Sequence, residues 1–225
     1  MTTKPNKTNI KCAVFDLDGT LLNTIKTINY YLNFALSKHG LPLVSELDTM
    51  RFIGNGAVKL IERSLCKIGA DDSLFDSVYK AYNEAYNASP YYLTEIYDGI
   101  SELLAELKSE GIKLCVLSNK PDFATKAAVK HFFGDTFDMV LGGRENIPLK
   151  PCPDALFDLL NEMGVTPEES AYIGDSEVDV LTAKNAMIEK SVFVTWGFRT
   201  RDQLQTAGAK NLADTPMQVL DIILE

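Results

Sequence analysis

The feature that most constrains this chain is a set of short, continuously apolar runs, each followed by polar residues able to do chemistry. Cys12–Phe15 runs into Asp16, Leu114–Leu117 into Ser118 and Ala171–Ile173 into Gly174-Asp175, and Met139–Leu141 and Val192–Val194 are two further runs of the same kind. Continuous apolarity, as opposed to alternation, marks strands buried on both faces, as in parallel sheets covered by helices. Helical periods fill the gaps between the later runs. Ile100, Leu103, Leu104 and Leu107 keep one helical face and stop at Gly111, and Leu156, Leu159, Leu160 and Met163 do the same and stop at Gly164, each glycine serving as a C-terminal cap. Strand and helix alternate from about Gly99 onward, which predicts an α/β domain with a doubly wound, mainly parallel sheet.

Between the first and second runs, roughly Thr24 to Tyr92, there is no strand signal. Apolar residues recur there at helical spacing in three stripes: Ile25, Ile28, Leu32, Ala35 and Leu36; Val58, Ile61, Leu65 and Ile68; and Val78, Ala81, Tyr82 and Ala85. The expected organisation is a core of residues 1–22 and 93–225 with an inserted helical cap of residues 23–92. A chain of 225 residues suits one core plus a modest insert.

At 46% hydrophobic and 24% charged, the composition supplies enough apolar surface for a packed core. The net charge of −9 and the lack of a basic run argue against nucleic acid, so an anionic ligand would need positive charge concentrated at its site. Cys12, Cys66, Cys115 and Cys152 form no CxxC pair and read as free thiols. The polar Met1–Lys11 segment and the lack of any ~18-residue apolar stretch predict a cytoplasmic chain that does not engage a membrane.

In open α/β sheets ligands bind beyond the carboxyl ends of the strands, so the residues after each run are the ones to read for chemistry. These are Asp16-Leu17-Asp18-Gly19-Thr20, Ser118-Asn119-Lys120, Lys150 after a loop, and Gly174-Asp175-Ser176-Glu177-Val178-Asp179. Taken singly, an Asp-Gly is usually a turn, a Ser-Asn a helix cap and a Lys-Pro a solvated loop. All falling in order after strands is what independent caps and turns rarely do. Asp16, Asp18 and Asp175 in one small space cannot all ionise without a cation, and magnesium (Mg2+) accepts one or two carboxylates and completes its shell with water and substrate phosphate. His39 and His131 lie outside these strand ends, against zinc. An Asp can attack phosphorus to give an acyl phosphate; Asp16 is the expected nucleophile and Asp18 the acid/base two positions on. Ser118 and Lys150 would serve the transferred phosphoryl oxygens, with Asp179 orienting Lys150.

As an ordered set, Asp16-Leu17-Asp18-Gly19-Thr20-Leu21, Ser118-Asn119-Lys120-Pro121, Lys150-Pro151 with Pro153, and Gly174 to Asp179 resemble the four signature motifs of haloacid dehalogenase superfamily phosphatases. The resemblance implies a Rossmann-like core with a cap, Asp16, Asp18, Ser118 and Lys150 as catalytic residues, and Asp16, the Asp18 carbonyl and Asp175 as magnesium ligands. It also implies a small phosphorylated metabolite as substrate, and a monomer or homodimer. A narrower similarity, to phosphoglycolate phosphatases, rests on Arg51-Phe52-Ile53-Gly54-Asn55-Gly56, Asp98-Gly99 and Ser118 to Pro121. It adds Arg51, Gly54, Asn55 and Gly56 to Gly19, Thr20 and Asn119 as substrate-binding candidates, although a helix-starting turn is an equal reading of Gly54-Asn55-Gly56 and a solvated charge the commoner reading of Arg51. Asn23 and Ala186-Met187 depart from the pattern without touching the proposed chemistry. Trp196-Gly197-Phe198-Arg199, after the last run, is placed to line the site, with core packing the commoner reading of Trp196 and Phe198. The second carboxylate, Asp18, disfavours a dehalogenase; a pyrophosphatase, a phosphosugar mutase and a non-catalytic binding module stay as alternatives.

Overall fold

The chain enters its sheet with β1 (Cys12–Phe15), passes through β2 (Leu22–Asn23) and leaves it for four helices, α1 (Ile25–Lys38), α2 (Glu46–Phe52), α3 (Gly56–Ile68) and α4 (Phe75–Ala88). It returns through β3 (Glu95–Ile96) and α5 (Ile100–Ser109), then alternates: β4 (Lys113–Pro121), α6 (Asp122–Phe133), β5 (Met139–Gly143), α7 (Asp154–Met163), β6 (Ser170–Gly174) and α8 (Glu177–Asn185). It closes with β7 (Lys190–Val194), α9 (Arg201–Ala207), β8 (Leu212–Ala213) and α10 (Pro216–Leu224). This is a computed structural model, and it describes residues 8–225, so residues 1–7 of the polar N-terminal segment lie outside it. No helix among the described residues is long and apolar enough to cross a membrane.

Six strands form one parallel sheet in the order β5-β4-β1-β6-β7-β8. All five strands expected from apolar runs are present in it. β4 is longer than its apolar run and carries Ser118 to Pro121 within the strand. β8 escaped notice because two residues are too few to show a pattern. From β1 the chain goes to β4 and β5 on one side and then to β6, β7 and β8 on the other, so the order reverses beside β1, where α/β sheets bind ligands. Phe15 pairs with both Val116 and Ile173, so three neighbouring strands deliver their following residues at one level.

The sheet's two faces bury alternate residues. Ala13, Phe15, Val116 and Ile173 pack with Leu103 and Leu107 of α5 and Val219 and Ile223 of α10, whereas Val14, Cys115, Leu117 and Tyr172 pack with Leu156, Leu159 and Leu160 of α7. Gly164 ends α7 in the left-handed conformation, at φ 66°.

The four helices between β2 and β3 surround an apolar core of their own, including Leu32, Leu36, Ile61, Leu65, Val78 and Tyr82. The first stripe is buried throughout. The second is displaced: Val58 is 42% exposed and Leu60, Ile61, Ser64 and Leu65 face inward. Ser64 fits the seam because its hydroxyl donates to the Leu60 carbonyl, a polar solution that counting apolar residues misses. The chain crosses between the two cores on the antiparallel pair β2–β3, two residues each, which also gave no periodic signal.

Candidate active site

Asp16 leaves the end of β1 with its N–H bonded to Ile173 O (2.8 Å). Its Oδ1 accepts the Leu17 N–H (2.7 Å) and lies 2.9 Å from Lys150 Nζ, which fixes one carboxylate oxygen and leaves Oδ2 for chemistry. Lys150 is buried and also reaches Asp179 Oδ1 (2.8 Å) and Tyr172 OH (3.2 Å). Burial opposes its charge, but Asp16 and Asp179 hold its ammonium well above the ordinary range. Asp179 in turn joins the capping box of α8, where its Oδ2 accepts Ser176 Oγ–H (2.6 Å) and Ser176 N–H (3.1 Å). Burial works to raise Asp179, and Lys150, Ser176 and Tyr172 together hold it below the usual value.

Asp175 follows β6 and is almost fully buried. Thr20 Oγ1 donates to its Oδ1 (3.0 Å) and the Phe198 N–H to its Oδ2 (2.8 Å). Two glycines make room for it. A Cβ on Gly19, which sits at φ 89°, would lie 2.4 Å from Asp175 Oδ2, and one on Gly197 would lie 2.3 Å from Asp175 Cβ. Burial first, then the charges of Asp179 and Asp16, push the Asp175 carboxyl well above the ordinary range. Burial also pushes Asp16 up to about 7, with Lys150 opposing and Asp179 adding to the rise.

Ligand oxygens of Asp16, Asp175 and Asp179 lie within 4.8 Å of one another. Asp179 is already committed to Lys150, Tyr172 and Ser176, so Asp16 and Asp175 are the two carboxylates free to hold a cation. Two hard oxygen donors that strain to ionise together fit magnesium well. Neither histidine is near: His39 ends α1 against Ala35 O (2.8 Å), and His131 stacks on Tyr91.

Asp18 lines the same cavity, with both carboxylate oxygens 3.2 Å from Lys120 Nζ. Ser118 lines the cavity beside them, and its Oγ accepts the Lys120 N–H (3.3 Å). Asn119 is structural in its contacts: its amide donates to Lys150 O (3.0 Å) and Gly54 O (2.9 Å), and its Oδ1 accepts the Lys150 N–H (2.8 Å).

The cavity, about 290 Å³, is roofed by the helical unit. Gly54 and Gly56 line it, together with Tyr79, Tyr82 and Tyr86 of α4. Arg51 and Asn55 do not. Arg51 is an exposed side chain near Asp48 (3.5 Å), and the Asn55 oxygen accepts from Arg63 (2.7 Å), so α2 and α3 use both residues locally. The arginine that does line the cavity is Arg199, from the stretch after the last apolar run that the sequence offers as a lining candidate. It is buried, pairs with Glu177, and donates to the carbonyls of Met50 and Ile53 at the end of α2. Phe198 is core, as expected, and also presents its N–H to Asp175. Lys120 was named within a motif and given no task; its place two residues after Ser118 on one strand, hence on the same face, was the available signal.

The chain matches the haloacid dehalogenase-like hydrolase family over residues 13–193. It is 33% identical over 221 residues to the phosphoglycolate phosphatase of Vibrio vulnificus CMCP6, covering 96% of each chain. It is 31% identical over 193 residues to that of Pseudomonas putida, covering 84% of this chain and 70% of the relative. In structure it superposes on a predicted phosphoglycolate phosphatase from Haemophilus somnus 129pt with a TM-score of 0.89 at 28% identity, covering 96% of this chain and 98% of that one.

Proposed function

We propose, for a chain that belongs to the haloacid dehalogenase-like hydrolases and is a phosphatase of that superfamily, magnesium-dependent hydrolysis of a small phosphomonoester through a phosphorylated Asp16. The observation that carries this reading is the partly buried Asp16 carboxylate, held through one oxygen by Lys150 and grouped with Asp175 behind Gly19.

In the first step Asp16 Oδ2 attacks phosphorus and the P–O bond to the leaving group breaks, while Asp18 delivers a proton to the departing oxygen. In the second, Asp18 takes a proton from water as the water oxygen bonds to phosphorus and the Asp16–phosphorus bond breaks. Lys150 and Ser118 offer a positive charge and a hydrogen bond to the equatorial oxygens throughout. Asp16, Asp175 and the Asp18 carbonyl would hold magnesium, which supplies neutralising charge for the carboxylates and the phosphate. Asp179 acts on substrate only through Lys150, as a positioning residue.

Phosphoglycolate is the substrate to which the relatives point. Hydrolysis of phosphoglycolate and of p-nitrophenyl phosphate, in magnesium and in excess chelator, tests both parts of the reading. Turnover of both esters in magnesium and of neither in chelator is expected, with the higher kcat/KM for phosphoglycolate. Turnover that survives chelation overturns the metal assignment. Aryl phosphate hydrolysis without phosphoglycolate hydrolysis overturns the substrate reading alone.

A further inference from the structure

Where the helical unit meets the sheet domain at the cavity, one polar contact links two side chains directly, and it ends on Asp18. Lys120 Nζ lies 3.2 Å from each Asp18 carboxylate oxygen and 2.6 Å from the hydroxyl of Tyr86, a residue of α4. The ammonium meets the tyrosine at its hydroxyl end, 4.9 Å from the ring centre, so the hydroxyl is the group that engages the cation. Tyr86 is buried, with 7% of the residue exposed, and Lys120 is nearly so, with 9% of its side chain exposed. Tyr86 is itself held edge-on against Tyr31 (5.5 Å) and beside Tyr82 (5.7 Å), so its hydroxyl has a fixed position whenever the helical unit is docked.

We propose that Lys120 is a positioning residue that makes the aim of Asp18 depend on the docked cap, with Tyr86 as the cap's half of the contact. This rests on the acid/base role given to Asp18 above. With the cap closed, the ammonium is held from one side by Tyr86 and spans both oxygens of Asp18, which fixes the carboxyl plane. With the cap open, Lys120 loses that restraint and its long side chain regains rotamer freedom, and Asp18 turns with it. Proton transfer demands heavy-atom approach within hydrogen-bond reach, so a carboxyl free to rotate is a poor donor and acceptor. The arrangement confines efficient proton transfer to the closed, water-excluding state, where a phosphorylated aspartate is protected.

Tyr86→Phe tests this, because it keeps the ring and its packing and deletes only the hydroxyl that holds the ammonium. Rapid mixing of p-nitrophenyl phosphate with magnesium-loaded enzyme separates two steps: the burst of nitrophenol reports phosphorylation, and the later steady rate reports hydrolysis of the phosphoenzyme. Nitrophenolate leaves without a proton, so the burst rate in Tyr86→Phe should stay within about twofold of wild type, while the steady rate should fall about tenfold through misaimed water activation. Lys120→Met should show the same pattern more strongly. If Tyr86 merely shapes the cavity, KM rises and both phases keep their ratio, which overturns the proposal; so does a steady rate that is unchanged in Tyr86→Phe. Asp18→Asn runs alongside. Should it retain wild-type turnover, the acid/base reading of Asp18 falls, a result distinct from a dead Asp18→Asn beside a fully active Tyr86→Phe.

Discussion

The sheet domain and the helical cap meet the cavity with different materials. The sheet brings side chains: Asp16, Asp18, Ser118, Lys150 and Asp175 stand at or just beyond strand ends, and the carboxylates and lysine are each tied by further hydrogen bonds or ion pairs. The cap lines the cavity largely with apolar and aromatic side chains, Tyr79, Tyr82 and Tyr86 among them, and grips the sheet domain there mostly through main-chain oxygen. Asn119 donates to Gly54 O, and Arg199 donates to Met50 O and Ile53 O; the Tyr86 hydroxyl is the side-chain exception. Carbonyl acceptors exist whatever residues carry them, so the cap can exchange the side chains that line its cavity without losing its grip on the core. The sheet side has less freedom, because Asp16, Asp18, Lys120, Lys150 and Asp179 are satisfied by one another and Asp175 by Thr20 and the Phe198 N–H.

The comparison breaks most directly at Asp16. Asp16→Asn keeps the volume and removes the nucleophile, so turnover should fall by about four orders of magnitude or more, with an unchanged circular dichroism spectrum. Substantial activity in a folded variant would move the chemistry off β1.

Next in size is Lys150→Met. It leaves Asp16 and Asp179 buried without their cation, and losing one partner of a buried ion pair typically destabilises by about 3–5 kcal/mol. Denaturant unfolding should register that loss, and turnover should drop by about a hundredfold or more for want of charge on the phosphoryl oxygens. A variant as stable as wild type would mean that the Asp16–Lys150–Asp179 chain is dispensable.

Proton linkage sharpens the same contrast. The Asp16 carboxyl, ordinarily at 3.8, is raised to about 7 by burial in the folded protein, and Asp175 is raised as well. A raised carboxyl binds more protons folded than unfolded, so its contribution to stability is fully present below the ordinary value and is lost as pH rises through about 7. Metal-free protein should therefore melt at progressively lower temperature between about pH 4 and 7, after allowance for the lowered Asp179. Magnesium should raise the melting temperature more at pH 7 than at pH 5, because it competes with protons for Asp16 and Asp175. A magnesium effect that did not vary with pH would place the ion elsewhere.

On the cap side the largest expected change is smaller. Arg199→Gln removes the charge that holds the α2 carbonyls and Glu177, favouring the open state, and should raise KM about five- to tenfold while changing kcat by less than about threefold. A fall in kcat alone would make Arg199 part of the chemistry.

The same division explains what could be read in advance. Buried strands and the residues that follow them are local patterns, so the sheet, its five main strands and the convergence of Asp16, Ser118 and Asp175 were visible in the sequence. The displaced second stripe was hidden by Ser64, whose hydroxyl satisfies itself on Leu60 and so behaves as core. The contacts of Arg199 were hidden for another reason. Its partners are carbonyls of Met50 and Ile53, nearly 150 positions away, and a carbonyl leaves no mark on residue identity. Gly197 is required by the Asp175 side chain, a fact that only the packing reveals.

Arg51 and Asn55 provide the finest test, since the resemblance to phosphoglycolate phosphatases offers them as substrate-binding candidates and the structure gives both local partners instead. Arg51 is exposed and lies 3.5 Å from Asp48, an i,i+3 pair of the kind that contributes only a few tenths of a kcal/mol. Arg51→Ala should leave kcat/KM for phosphoglycolate and for an aryl phosphate within about twofold and stability within about 0.5 kcal/mol. Asn55 accepts from Arg63 Nη2 (2.7 Å) at the start of α3, and Arg63 also holds Phe52 O (2.7 Å), so its side chain ties α2 to α3 inside the cap. Asn55→Ala should cost about 1 kcal/mol, the ordinary worth of a hydrogen bond to a charged donor that water can partly replace. It should alter the two esters' kcat/KM equally, because Gly54 and Gly56, not the Asn55 side chain, line the cavity. A selective loss of phosphoglycolate hydrolysis in Asn55→Ala would show that the turn reaches the substrate when the cavity is filled, and that the cap contributes recognition by side chain as well as by carbonyl.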